Sequence, residues 1–401
     1  MRKILSALAL LAFVQSAQAA PASFALTVTD GKMSGPGAEI LRAELPKAQF
    51  ILYGEDHGFA DSPIVLRAIA HEARPFGFKY HAVEVGPVSV AIIRSALKKD
   101  GIDGVHKLVD DVPLGFPFLS LKDDALLASD YLGEDAKGTP YLWGLDQEFI
   151  GSPGLHLKRL VAIAPNDGAR ATAQKLLAEE QDAAAKGDQG KLLLVHTSDA
   201  DFDALSGQFK GNAEALNIIG EMKESAAIYQ LWMHDRNYEN NARRARLLAK
   251  NFLADYHAAA EREPKVIFKM GVEHTGLGTT SINTVDLGTL ASKIAQENGK
   301  TALRIMFLPA GGHNLTFAPK PGNPTSVEDY NDPDTRKFFN DIGIDPAALS
   351  KTGWTLIPLE PVRQVLDTKG LEKLSQMSRF MVLGFDYVIT TPDAKPAISL
   401  Y

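Results

Sequence analysis

Short apolar runs alternate along this chain with longer stretches of helical periodicity. Runs at Gln49–Tyr53, Tyr80–Val85, Tyr141–Leu145, Lys265–Met270, Ala302–Leu308, Trp354–Leu359 and Tyr387–Thr390 are almost continuously hydrophobic. A strand reads this way when helices cover both of its faces; a half-exposed strand would alternate polar and apolar positions. With helical patterns between the runs, the expectation is an α/β fold, a mostly parallel central sheet flanked by helices. From Leu155 to Arg262 the texture shifts to Ala, Leu, Lys and Glu, with helical periodicity over Ala171–Ala185, Ala213–Leu231 and Asp235–Glu261. The expected organisation is therefore an α/β core formed by residues 21–154 and 263–401, with a helical insertion or cap over 155–262. The Pro-, Asn- and Asp-rich stretch Pro319–Pro333 reads as a loop.

The first twenty residues do not follow this pattern. Arg2 and Lys3 precede an apolar stretch from Ile4 to Val14, and Ala17-Gln18-Ala19 supplies small residues for a signal peptidase. The expectation is a cleavable signal peptide over 1–20 and a periplasmic mature protein. The apolar stretch is too short for a permanent span. With no cysteine at the cleavage site, no membrane anchor is expected.

Composition narrows the chemistry. The 401 residues include no cysteine, which excludes a disulfide-linked partner, a thiolate metal site and a cysteine nucleophile. A formal charge of −7 argues against nucleic acid, because no excess of Lys and Arg exists to displace counterions from phosphates. The expected partner is a small-molecule substrate or ligand.

Placing the polar residues on the predicted strands gives the candidate site. The first run ends in Gly54-Glu55-Asp56-His57-Gly58 and the second in Glu84. Asp146-Gln147-Glu148 follows the third, Gly271-Val272-Glu273-His274 the fourth, and Gly311-Gly312-His313-Asn314 the fifth. In an open parallel sheet, ligands bind outside the carboxyl ends of the strands. Glu55, His57, Glu84 and His274 are the candidates for the chemistry, with Asp146 and His313 beside them. A carboxylate next to a histidine makes a general base near neutral pH. The same residue types also bind divalent metals, so a metal ion stays open as a cofactor. A serine-hydrolase reading fails: no Gly-x-Ser-x-Gly elbow exists, and Ser95-Ala96-Leu97-Lys98 falls inside a helical pattern. Asp61 and Ser62, ahead of Pro63, read as caps of the following helix.

Leu52-Tyr53-Gly54-Glu55-Asp56-His57-Gly58, followed by His81-Ala82-Val83-Glu84, resembles the opening of the erythromycin esterase-like family. His234-Asp235-Arg236-Asn237-Tyr238 resembles that family's active-site helix, Lys265 to His274 its strand ending in two histidines, and Gly384-Phe385-Asp386 its terminal strand. The broader superfamily includes ChaN-like haem-binding proteins and the Tiki and TraB metal-dependent peptidases. The resemblance implies an esterase or lactonase in which Glu55, His57, Glu84 and His274 are catalytic and Arg236 faces the substrate. Its alternative is a ChaN-like protein that holds haem or a metal without turnover, with His57, His274 or Tyr53 as ligand. Three departures stand out. Only Asp56 separates Glu55 from His57, Gly271 stands where the family has the first of its two histidines, and Tyr238 stands where it has a methionine.

Overall fold

The computed structural model describes residues 21–317, 324–366 and 368–401, so the expected leader lies outside the described residues. At its centre is β3 (Ala48–Glu55), in which all eight residues are buried. Ile51 and Tyr53 face one helical layer, built from helices Pro36–Glu44, Asp61–Ala73 and Lys122–Ser129. Phe50 and Leu52 face the other, built from helices Asn237–Ala258 and Leu287–Glu297. Alternate side chains of one strand thus enter two separate cores, which is why its sequence shows no polar alternation.

The remaining strands are β1 (Phe24–Thr29), β2 (Lys32–Ser34), β4 (Phe78–Val83), β5 (Leu142–Gly144), β6 (Lys265–Gly271), β7 (Thr301–Phe307), β8 (His313–Phe317), β9 (Thr325–Asp329), β10 (Trp354–Pro358) and β11 (Tyr387–Thr390). Among the described residues, nine of the eleven strands form one sheet in the order β2-β1-β10-β11-β7-β3-β6-β4-β5. From β11 to β5 every pairing is parallel, whereas β10, β1 and β2 are added antiparallel at one edge. All seven expected strands are present, and the sheet is mostly parallel with helices on both faces. The expected loop over Pro319–Pro333 needs correction in part. Thr325–Asp329 pairs with His313–Phe317 as a hairpin, in register Leu315↔Val327, while residues 318–323 lie outside the described set.

Between β5 and β6 the chain is helical. Helices Pro153–Ala162, Asp167–Lys186, Asp199–Gln208 and Ala213–Met233 bury Leu157, Leu160, Phe202, Phe209, Ile219 and Met222 against one another and against Val88. Helix Asn237–Ala258 returns from this group to the sheet. Phe252 meets Phe50 and Phe268 edge-on at ring distances of 5.8 and 5.3 Å. Each such pair contributes about 0.5–1.5 kcal/mol beyond the area it buries. These contacts fix the rotation of that helix and hence what its upstream turns present to the sheet. Among the described residues no helix is long and apolar enough to cross a membrane.

Candidate active site at the strand ends

Four neighbouring parallel strands, β3, β6, β4 and β5, end at the site. β3 ends at Glu55, β6 at Gly271 with His274 one turn later, β4 one residue before Glu84, and β5 two residues before Asp146. Chain connections leave this group in opposite directions, to β4 on one side of β6 and to β7 on the far side of β3, which opens a crevice at the carboxyl edge.

Glu55 is buried and accepts three side-chain donors. Lys269 Nζ lies 2.5 Å from Oε1, His57 Nδ1 lies 2.9 Å from the same oxygen, and the Ser62 hydroxyl donates to Oε2. Burial alone pushes this carboxyl up, but Lys269 and His57 outweigh it and bring the pKa down to about 2. An ionised carboxylate only accepts, so the neutral His57 ring donates from Nδ1 and keeps its lone pair on Nε2. Phe118 stacks on that ring at 4.2 Å. Burial works against the imidazolium, but Glu55 and Glu84 more than compensate, and the His57 pKa is raised.

Glu84 is the hub. Arg244 Nη2 donates to its Oε1 at 2.7 Å and the Gly271 amide donates to its Oε2 at 2.5 Å. His274 Nε2 lies 3.5 Å from Oε1, and His57 Nε2 lies 3.6 Å from Oε2. Against the penalty of burial, these cations hold the Glu84 carboxyl well below the usual range. His274 is itself aimed by Asp286, 2.9 Å from Nδ1, whose other oxygen accepts the Leu287 amide at the start of helix Leu287–Glu297. Burial lowers the His274 imidazolium, but Asp286 and Glu84 push it up to about 10. A Cβ at Gly271 would stand 3.1 Å from His57 Nε2, so a glycine at this position leaves room beside the candidate base.

The structure therefore brings Glu55, His57, Glu84 and His274 together, and Asp146 joins them through Arg244. The Arg244 guanidinium grips Asp146 with Nε at 2.8 Å and Nη2 at 2.5 Å while also holding Glu84. Two of the substrate-facing candidates stand elsewhere. Arg236 precedes the first turn of its helix, is exposed, and pairs with Glu239 at 3.1 Å. Arg244, two turns further along the same helix, is the arginine in the cluster, because the helix axis carries that turn over the sheet edge. His313 lies on β8 in the separate two-stranded sheet, is exposed, and pairs with Asp329 at 3.0 Å. Asp61 and Ser62 do not cap their helix either. Asp61 accepts the Lys395 amide and Trp354 Nε1, and Ser62 supports Glu55.

Lys269, Asp124, Ser62, Arg244, Asp286 and Phe118 were not legible as site residues. Lys269 carried one signal, a lysine inside an otherwise apolar strand. The others are recruited from helices and loops by packing.

Two spaces border the cluster. A small void of about 10 Å³ is lined by Glu55, His57, Glu84, Phe118, Asp124 and Lys269, room for about one water molecule. A cleft of about 920 Å³ runs from Arg244 and Asn240 past Gln147, Tyr229 and Trp232 to Leu114 and Tyr401, with mainly apolar walls. Among the described residues no group of three or more His, Asp or Glu side chains is arranged to hold a metal ion. The donor set explains this, since Glu55, Glu84 and Asp146 are already neutralised by Lys269 and Arg244. The candidate haem ligands are engaged as well: both His57 nitrogens and both His274 nitrogens face carboxylates, and buried Tyr53 donates to the Ser62 carbonyl.

Comparison with solved structures gives the fold a relative. A mutant of the erythromycin esterase EreC in its open conformation superposes with a TM-score of 0.54 at 16% identity, over 89% of this chain and 94% of that one. The chain has an erythromycin esterase-like fold. A succinoglycan biosynthesis protein shares this esterase-like fold with a TM-score of 0.54 at 11% identity, over 94% of this chain and 96% of that one. A Bacillus cereus protein shares it with a TM-score of 0.51 at 11% identity, over 94% and 97% of the two chains. No family model and no curated protein matches the sequence.

Proposed function

We propose that the chain is a hydrolase of a bulky, largely apolar ester or lactone. The observation that carries this reading is the position of His57. Its Nδ1 is bound to an ionised carboxylate, its Nε2 faces Glu84 across 3.6 Å, and both border a void of one-water size. A water there donates one hydrogen to Glu84 and the other to His57 Nε2, leaving a lone pair for the carbonyl carbon. His57 takes the proton as general base, and Glu55 stabilises the imidazolium that forms. The tetrahedral intermediate then needs donors for its oxyanion. Among the described residues Arg244 Nη1 has no partner, and Arg244 lines the cleft. The His57 proton passes to the leaving alkoxide, which restores the base. The cleft volume suits a substrate much larger than an acetyl ester, and the esterase-like fold makes ester bonds the first class to test.

The test is turnover on a panel of bulky esters and lactones, erythromycin among them, with His57→Gln and Glu84→Gln. Loss of at least about a hundredfold in kcat for His57→Gln is expected for a general base. Full activity in His57→Gln would overturn the mechanism, and a well-folded protein inert across the panel would overturn the substrate class. We propose further that the protein works in the periplasm, on the strength of its N-terminal pattern. Mass spectrometry of the exported protein should find Ala20 or Pro21 first, and an intact Met1 would refute this.

A further inference from the structure

Buried in the helix-covered face of the sheet, behind His57, lies a cation shared by two carboxylates. We infer that Lys269, clamped between Glu55 and Asp124, is a positioning residue that decides which nitrogen of His57 carries the proton, and so whether His57 is a base toward the site. The inference rests on the hydrolase reading only for its consequence in turnover; the proton placement itself is independent of any substrate.

Lys269 is the fifth residue of β6, in register with Tyr53 on one side and Val83 on the other. Its side chain shares a face with Ile267, which belongs to the apolar core. Methionine or leucine would serve packing there at far lower desolvation cost. Instead Nζ is 2.5 Å from Glu55 Oε1 and 2.6 Å from Asp124 Oδ1, with all three side chains at most 6% exposed. The charged and titratable groups around it are Glu55 and Tyr53 from β3, His57 from the loop after it, His81 from β4, Glu84 beyond that strand, and Asp124 from helix Lys122–Ser129. His81 is kept neutral by burial, with its pKa lowered to about 4, and Nδ1 engaged with the Ile267 carbonyl. Tyr53 is held un-ionised by burial. Lys269 is therefore the cation that faces Glu55 from the core side, and His57 faces it from the loop after β3.

Without that cation the balance inverts. Burial drives Glu55 and Asp124 upward together, and two carboxyls in one dry space share a proton. When Glu55 holds it, the carboxylic acid donates to His57 Nδ1 and the ring carries its own hydrogen on Nε2. The imidazole is then a donor toward Glu84 and the void, with no lone pair for a water. Asp124 competes with Glu55 for the one cation, and burial already lifts it to about 6. Removing Asp124 leaves Lys269 to Glu55 alone, so the two substitutions act in opposite senses.

The experiment is long-range proton–nitrogen correlation spectroscopy of histidine-labelled protein, with His57 identified by His57→Gln. Wild type and Asp124→Asn are expected to show His57 protonated on Nδ1 when neutral. Lys269→Met is expected to shift the proton toward Nε2, less than completely because Asp124 takes a share of the proton. The double variant Lys269→Met/Asp124→Asn, in which the amide at position 124 cannot take it in place of Glu55, is expected to shift it at least as far. An unchanged signal from His156, which pairs with Glu148 away from Lys269, reports an intact fold. If Lys269→Met alone does not fold, the double variant compared with Asp124→Asn carries the test. Nδ1 protonation retained in every folded Lys269→Met background, or an Nε2-protonated wild type, would overturn the inference. If a substrate is in hand, the acid limb of kcat in Lys269→Met should move up by about one pH unit or more. The altered proton position without turnover in any protein would overturn the hydrolase reading and leave this one standing.

Discussion

Replacing Arg244 with Met removes one cation from between two buried carboxylates. The Glu84 and Asp146 side chains are only 5% and 7% exposed, and Arg244 makes three charged hydrogen bonds to them. Breaking a buried ion pair on one side costs about 3–5 kcal/mol, because the remaining charge is left in a poorly solvated place. Two carboxylates are stranded here, but Glu84 keeps the Gly271 amide and two imidazoles, and Arg244 is about a quarter exposed. These offsets put the expected loss at about 3 kcal/mol, a large fraction of the 5–15 kcal/mol typical of a domain. Urea denaturation at pH 7 measures it, with Asp146→Asn and the double variant completing a cycle. The double variant should be more stable than the sum of the singles by about 1–3 kcal/mol, since the second change removes a stranded charge. The Arg244→Met penalty should also shrink toward pH 4, where a Glu84 freed of its arginine takes up a proton. Strict additivity with a pH-independent penalty would refute the claim that Arg244 stabilises by compensating these two carboxylates.

Other substitutions test the remaining structure. His274, pushed up to about 10 from an ordinary 6.5, contributes stability that is fully present below pH 6.5 and lost as pH rises through 10. The stability gap between wild type and His274→Gln, on the order of 3 kcal/mol at pH 6, should therefore narrow by pH 10.5 in denaturant titrations. Glu180, buried in the wall of the cleft and raised by burial to about 7, opposes folding increasingly from pH 4.5 to 7 and fully above that. Glu180→Gln should therefore stabilise the protein by about 2–3 kcal/mol at pH 8 and by little at pH 4, read as a pH-dependent gain in Tm. Gly86→Ala would put a Cβ 2.2 Å from the carboxyl carbon of Glu148, which accepts the Val88 amide at the start of helix Pro87–Asp100. A loss of about 2–3 kcal/mol is expected in thermal unfolding, against no loss for Gly220→Ala in the same assay, since Gly220 lies inside helix Ala213–Met233 with nothing within 4 Å of the added Cβ.

How much of this was legible in the sequence differs between fold and site. Seven strands could be located because each had to be apolar on both faces, and that demand writes itself into consecutive residues. The parallel arrangement of all but Trp354–Pro358 followed from the helices between them, and with it the sheet edge at which Glu55, His57, Glu84, Asp146 and His274 meet. The short strands β1, β2, β8 and β9 were not legible, because they pair at an edge or in a hairpin and carry exposed polar residues like any loop.

What only the tertiary structure decided is which cations neutralise that acidic edge. Arg236 stands just ahead of the helix that carries Arg244, and nothing local marks the second as the one in the site. The choice is made by where the helix crosses the sheet, fixed by Phe252 against Phe50 and Phe268. Lys269 likewise becomes part of the site only because Asp124 and Glu55, 145 and 214 positions away along the chain, close on it from a helix and a neighbouring strand. Strand-end chemistry is encoded locally, since hydrophobic periodicity marks where each strand stops. Charge compensation is not, because it depends on distances of 2.5–3.6 Å between side chains that meet only when the layers pack.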